Sequence, residues 1–204
     1  MEARSVIEVV EYDEAWPVRA AAARADLISL GVFDAVEHIG STSVPGLAAK
    51  PVIDLMAAAA SLDAVAAAQD ALAGLGYRRF EVGMPGRLFY YRDEDGQRAY
   101  QLHVVPADTW DARNERLLRD HLRAHPDDAR RYAELKQRLA AEHTDGTEYT
   151  KAKTELIQEL TDRAPGRPRA AAGPRLGGVS YRADQPPSSR YEEPLANDAG
   201  AEQR

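Results

Sequence analysis

The residues from Glu37 to Met56, EHIGSTSVPGLAAKPVIDLM, hold the most informative pattern in this chain. They join two apolar segments through a Gly-Ser-Thr-Ser turn at 40–43, a Pro-Gly pair and a lone lysine. Glycine lets a backbone approach a ligand closely, and successive N–H groups beside hydroxyls can surround phosphate oxygens. The same residue types also form ordinary turns and helix caps. The stretch therefore indicates either a phosphate site or a tight structural turn.

Asp54 lies inside the apolar run VIDLM, which is typical of a strand buried on both faces. A buried carboxylate is costly unless it is paired, bound to a metal ion or placed at a cleft. Asp54 is therefore the leading candidate for a functional side chain. Lys50, just before this strand, is either a solvated residue or a point charge for a phosphate.

Apolar periodicity predicts an α+β fold, in which a mixed sheet with crossover helices is followed by three helices. The predicted strands cover residues 5–12, 33–40, 51–59, 77–82, 87–93 and 98–105. The last two are expected to form a hairpin through DEDGQ. The predicted helices cover residues 16–30, 61–76, 108–126, 127–143 and 147–164. Together they predict one domain over residues 1–164.

The remaining residues, 165–204, are dense in Pro, Gly, Ser and charge and have no apolar period. Such a segment cannot bury enough apolar surface to fold, so a disordered tail is predicted there.

Composition narrows the partners and the compartment. The net charge is −7, and the first 160 residues hold no block of Lys or Arg, so a nucleic-acid partner is not expected. There are no cysteines, which excludes thiolate chemistry and gives no sign of an oxidising compartment. No apolar run approaches the roughly 18 residues of a membrane span, and the N-terminus turns acidic too early for a signal peptide. A cytoplasmic protein without a membrane partner is predicted.

Lysine is rare here, because only four of the 26 basic residues are Lys, at positions 50, 136, 151 and 153. These four positions are therefore more informative than the arginines.

Four ordered motifs resemble the GrpB family: HIGSTSVPGLAAKPVIDLM, LHVV, RDHLRAHPDDARRYAELKQRLA and YTKAKTELI. The resemblance spans about residues 5 to 163. It implies a nucleotidyltransferase-like fold, and members of this family also occur fused to dephospho-CoA kinases. The pattern of that superfamily is a Gly-Ser turn that holds nucleotide phosphates, two carboxylates at i and i+2 on the next strand, and a third carboxylate on a neighbouring strand. Together these carboxylates bind two Mg²⁺ ions.

This chain departs from the pattern, because the positions two residues from Asp54 are Val52 and Met56. The place of the third carboxylate falls most naturally on His103, which has Gln101 on the same strand face. Asp54 and His103 are therefore predicted to hold one Mg²⁺ ion with help from phosphate oxygens. His38 is a second possible ligand, and a core histidine bonded to the backbone is the structural alternative for His103.

Two further sets of residues are candidates for binding, from the resemblance and from their positions in the sequence. The predicted phosphate-binding residues are Gly40, Ser41, Thr42, Ser43 and Lys50. The predicted substrate-binding residues are Arg87, Arg92, Lys136, Tyr149 and Lys153, for which solvated faces or a protected sheet edge are the alternatives.

Two functions are consistent with these sequence features. The first is a Mg²⁺-dependent nucleotidyl or phosphoryl transferase that acts on a small molecule. The second is a module that binds a nucleotide or a coenzyme-A-like phosphate without turnover. The missing carboxylate favours the second function, whereas the intact Gly-Ser turn does not discriminate between them.

Overall fold

The computed structural model describes residues 8–81, 83, 85–142 and 153–163. The predicted tail at 165–204 and Tyr149 lie outside these ranges. None of the helices within them is both long enough and apolar enough to cross a membrane.

One mixed sheet forms the centre of the fold, with the strands in the order β1-β2-β5-β4-β3. Strands β2 and β5 run parallel, and the other neighbours are antiparallel. The α+β arrangement is therefore confirmed, with β2 in the interior of the sheet. The strands are β1 (Ala35–Ile39), β2 (Ile53–Ala59), β3 (Arg78–Arg79), β4 (Leu88–Glu94) and β5 (Gln97–Pro106).

The first helix covers one face of the sheet. Helix α1 (Ala15–Ser29) buries a stripe at Trp16, Ala20, Ala23 and Leu27, and this spacing of three and four residues places all four on one side. The Asp13 side chain accepts a hydrogen bond from the Ala15 N–H at 2.8 Å, as a capping residue does. The stripe packs in the main core with Leu55 and Leu102 of the sheet. Two short helices, α2 (Leu62–Ala67) and α3 (Gln69–Gly74), add Val65 and Leu72 to this core.

A second core joins the link between β1 and β2 to the C-terminal helices. The buried residues Val44 and Leu47 of this link pack with helix side chains in one cluster. The helices are α4 (Asn114–Ala124), α5 (Pro126–Glu142) and α6 (Thr154–Arg163). The helix residues buried in this cluster are Leu122, Tyr132, Leu156 and Leu160. The link that carries Lys50 is thus held between the sheet and the helices.

Several predicted elements are shorter or divided in the structure. Within residues 8–12 the expected first strand is reduced to a single bridge between Val10 and Ala49. The helix predicted at 61–76 is divided at Ala68, where φ is −86° and ψ is 17°. The strand predicted at 77–82 pairs only over Arg78–Arg79 in regular form, followed by one bond from the Phe80 N–H to the Phe89 carbonyl at 2.9 Å.

The predicted hairpin is confirmed. Strands β4 and β5 meet through Asp95 and Gly96, whose φ angles of 52° and 75° are both positive. Two positive φ angles in a two-residue connection match the right-handed twist of the flanking strands.

Candidate functional site

Asp54 lies on the sheet face that is opposite to α1. The register aligns it with Ile39 on β1 and Gln101 on β5, and Gln101 in turn with Tyr91 on β4. Residues opposite one another in a sheet point to the same face, so these four side chains form one row. Gln101, a neutral amide, is therefore the direct β5 neighbour of Asp54, whereas His103 pairs with Met56 one step along.

The glycine of the turn fits tightly against Asp54. Gly40 has φ 71° and ψ −173°, a region that is open almost only to glycine. A Cβ atom at this position would lie 2.5 Å from Oδ2 and 3.0 Å from Cβ of Asp54. Both the dihedral angles and the space therefore require glycine, and they bring the end of β1 onto the Asp54 carboxylate.

After Gly40 the chain forms a one-turn 3-10 helix, Ser41–Ser43, whose last two hydroxyls make structural bonds. The Thr42 hydroxyl is buried, donates to the Val52 carbonyl at 3.2 Å and lies 2.9 Å from His38 Nε2. The Ser43 hydroxyl donates to the Gly40 carbonyl at 2.5 Å. Of the three hydroxyls, that of Ser41 is directed toward the C-terminal helices.

Arg123 of α4 fixes this turn from outside. Its guanidinium donates two hydrogen bonds to the Ser43 carbonyl, at 3.0 and 2.7 Å. Bonds from a charged donor are stronger than neutral ones, so α4 anchors the turn in position.

Two lysines surround the Asp54 carboxylate. Burial raises the pKa of Asp54 to about 7, although the ammonium groups of Lys153 and Lys50 act to lower it. Burial lowers the pKa of Lys153 to about 8, against the opposing effect of Asp54. Lys50 comes from the link before β2 and Lys153 from the residue before α6. Residues far apart in sequence thus place two cations beside one carboxylate.

Lys136 of α5 supports the same region. It is buried, and its Nζ donates to the Ala48 carbonyl at 2.6 Å while lying 4.9 Å from the centre of the Tyr132 ring. Burial lowers the pKa of Lys136 to about 7, and the nearby charge of Lys153 acts in the same direction. Lys136 therefore holds the link two residues before Lys50.

Tyr132 brings α5 to the Gly-Ser turn. Burial raises its pKa to about 12, a hydrogen bond with the Ser41 side chain opposes this, and the Asp54 carboxylate reinforces it. The Tyr132 hydroxyl is therefore close to both the turn and Asp54. We call the set formed by Gly40, Ser41, Lys50, Asp54, Tyr132 and Lys153 the Asp54 site.

His103 belongs to a different cluster. Its Nδ1 lies 3.3 Å from an Arg87 nitrogen, and its ring centre lies 5.0 Å from that of Phe89. Arg87 in turn forms an ion pair with Glu115 of α4 at 2.5 Å. Burial lowers the pKa of His103 to about 3, with Arg87 acting in the same direction, so the imidazole is neutral. The cluster ties β4 and β5 to α4.

Two further basic candidates do not face Asp54. Arg92 is opposite Tyr100 in the register and lies over that ring at 3.7 Å, on the sheet face that α1 covers. His38 is opposite Leu55, also on that face, and contacts Thr42. Arg92 therefore lies on the opposite sheet face from Asp54, whereas Arg87 contacts His103.

A Mg²⁺ ion shared by Asp54 and His103 does not fit these surroundings. A hard cation requires several oxygen ligands, whereas Asp54 has Lys50 and Lys153 beside it. His103 faces the Arg87 guanidinium. Among the described residues, no group of three or more His, Asp or Glu side chains is placed to hold a metal ion. The charged groups beside Asp54 are thus cations.

Sequence reasoning missed Tyr132, Glu115 and Arg123. A signal for Tyr132 exists, because it precedes Lys136 by four residues and so lies on the same helix face. Glu115 and Arg123 reach their partners across 28 and 80 residues of sequence, and nothing local marks such pairs.

Comparison with known proteins gives matches over most of the described chain. A family model described as GrpB protein matches residues 6–163. The UPF0157 protein YqkA of Bacillus subtilis is 34% identical over 123 residues, which cover 59% of this chain and 36% of YqkA. The matched part is thus little more than a third of that relative's length.

Two solved structures share the fold. The crystal structure of the conserved protein GrpB from Enterococcus faecalis has a TM-score of 0.69 at 31% identity and covers 76% of this chain and 95% of that one. The structure of Cid1 in complex with its short product ApU has a TM-score of 0.50 at 14% identity and covers 89% of this chain and 64% of Cid1. The likeness to Cid1 shows a shared fold, and the expected fold class is confirmed.

Proposed function

The chain belongs to the GrpB protein family, and from this membership and the surroundings of Asp54 we propose that it binds the phosphate groups of a nucleotide or a similar small molecule. One observation carries the proposal. Three of the four lysines in the whole chain, Lys50, Lys136 and Lys153, meet around the Gly-Ser turn and Asp54. These three rare residues come from a link, from α5 and from the residue before α6.

Physical chemistry supports an anionic ligand such as phosphate beside these lysines. The charge-assisted bonds that ammonium groups donate to phosphate oxygens are strong, and they strengthen further where the groups are buried. Burial lowers the pKa values of Lys136 and Lys153 to about 7 and 8. A bound anion relieves this cost because it stabilises the protonated lysines.

The test is calorimetry with adenosine and guanosine mono-, di- and triphosphates, coenzyme A and pyrophosphate. We expect at least one of them to bind the wild-type protein. Lys153→Met should then weaken binding by roughly tenfold or more, because a charged hydrogen bond of ~1.5–3 kcal/mol is lost.

Arg130→Met is the matched control, since it removes an exposed positive charge on α5 that pairs only locally with Asp127. Its affinity for the ligand should equal that of the wild type. The proposal fails if no compound in the panel binds, or if Lys153→Met binds as the wild type does.

Phosphoryl or nucleotidyl transfer is the second candidate, and the raised pKa of Asp54, about 7, favours it. A carboxylate with a pKa near neutrality is suited to act as a general base. Asp54 would accept the proton of an acceptor hydroxyl, whose oxygen bonds to the α-phosphorus of a nucleoside triphosphate. The bond to the leaving group breaks at the same centre, and pyrophosphate departs with the electron pair. Lys50 and Lys153 would stabilise the charge that develops on the phosphate oxygens.

A further inference from the structure

The nucleotidyltransferase pattern and the Asp54 site disagree about what neutralises phosphate charge. In the pattern, carboxylates hold divalent cations, and the cations contact the phosphate. Here the β5 residue beside Asp54 is Gln101, which carries no charge. On this row of side chains, Asp54 is therefore the one carboxylate that could hold a cation between the protein and the phosphate.

The second carboxylate position is closed to a metal ion for a different reason. Met56, two residues after Asp54 on the same face, is fully buried. It packs with Ile39 and Val105, and Trp110 of the 3-10 helix Ala107–Ala112 covers this cluster. A cation and its water shell have no place in an apolar cluster. Met56 therefore offers no ligand to a metal ion next to Asp54.

The charged groups that lie beside Asp54 are lysines. Lys50 and Lys153 place two positive charges near Asp54. At close range a divalent cation is repelled by each of these charges, whereas a phosphate dianion is attracted. The Lys136 bond to the Ala48 carbonyl holds the link backbone two residues before Lys50.

Resting on the proposed function, we propose that the Asp54 site binds its phosphate ligand as a free dianion, with Lys50 and Lys153 in the place that Mg²⁺ takes in the superfamily pattern. The ligand class is a phosphate monoester or a diphosphate without bound magnesium, not a magnesium–nucleoside triphosphate. In this site Asp54 is a negative charge that opposes binding and tunes it, not a metal ligand.

The two readings of Asp54 give opposite results for one substitution. Asp54→Asn keeps the shape of the side chain and removes its charge. If lysines hold the dianion, the variant should bind adenosine monophosphate roughly 2- to 4-fold more tightly than the wild type at about pH 7.5, because a repulsive charge is lost from a group whose pKa is about 7. If a metal holds the phosphate, the variant should lose binding.

The experiment is calorimetry of the wild type, Asp54→Asn and the control Asp63→Asn with adenosine monophosphate and with pyrophosphate. Each titration is done in 5 mM MgCl₂ and in EDTA. Asp63 is exposed on α2, under the opposite sheet face, so its variant should bind as the wild type does. We expect equal or weaker binding with Mg²⁺ present, since the cation competes with the lysines for the phosphate.

The outcomes distinguish failure of the metal-free site from failure of the proposed function. Binding that requires Mg²⁺, or that Asp54→Asn abolishes in a folded variant, overturns the metal-free site but leaves the phosphate-binding function standing. The absence of binding by either ligand, with or without Mg²⁺, overturns the proposed function and this inference together. Tighter binding by Asp54→Asn in EDTA supports both.

Discussion

Replacing Gly40 with alanine should lower the free energy of unfolding by roughly 3–5 kcal/mol. Two causes add together. A side chain in this region of φ and ψ is strained, and the new Cβ would lie 2.5 Å from Oδ2 of Asp54. Because Asp54 sits in an interior strand, its carboxylate cannot move aside without disturbing the neighbouring packing. Urea denaturation measures the loss.

Gly46→Ala separates the two causes. Gly46 has a similar φ of 74°, but a Cβ at this position would meet nothing within 4 Å. Its variant should lose only about 1–2 kcal/mol, from the left-handed backbone alone. Adding Asp54→Ala to Gly40→Ala should restore part of the stability, since the clashing carboxylate is gone. Equal losses for the two glycines would show that Gly40 does not press against Asp54.

Asp54→Asn should stabilise the protein above pH 7 by roughly 2–4 kcal/mol. In the folded state the pKa of Asp54 is raised from 3.8 to about 7. The folded protein therefore binds more protons than the unfolded chain between these values, and the stability of the wild type falls as pH rises from about 4 to about 7. Lys50 and Lys153 face this carboxylate and reduce the cost of its ionisation without removing it. Asparagine has no such dependence.

Urea unfolding at about pH 4.5 and about pH 8 checks this expectation. The two proteins should have similar stabilities at the lower pH and should differ at the higher one. Asp63→Asn, on the exposed surface of α2, should show no such divergence. A less stable Asp54→Asn at pH 8 would mean that the ion pairs of Asp54 with the lysines outweigh the cost of its burial.

Local chemistry explains which features of the site could be predicted from sequence. Gly40 and Asp54 are conspicuous because each departs from the apolar run around it, and the lysines stand out by their rarity. The strand and helix periods likewise determine the α+β class. These signals depend on near neighbours in the chain, where side-chain direction and burial follow from spacing.

Register across strands could not be predicted in the same way. The sequence predicts His103 beside Asp54. In the structure Gln101, two residues earlier on β5, lies beside Asp54 instead. Such a shift keeps the same face and leaves the apolar pattern unchanged, so nothing in the sequence opposes it. The sheet face of Arg92 could be predicted, because side chains alternate along a strand and Arg92 lies five residues, an odd number, after Arg87, which comes just before β4.

If Lys50 and Lys153 together bind phosphate beside Asp54, lysine-resolved NMR detects both contacts. With only four lysines in the chain, a sample labelled with ¹³C at lysine Cε gives few signals, which Lys50→Met and Lys153→Met assign. Titration with adenosine monophosphate in EDTA should shift the signals of Lys50 and Lys153 along one saturation curve, and the apparent pKa of Lys153 should rise above its free value of about 8. If calorimetry shows saturated binding while both lysine signals and the Lys153 pKa stay unchanged, Lys50 and Lys153 do not bind the phosphate.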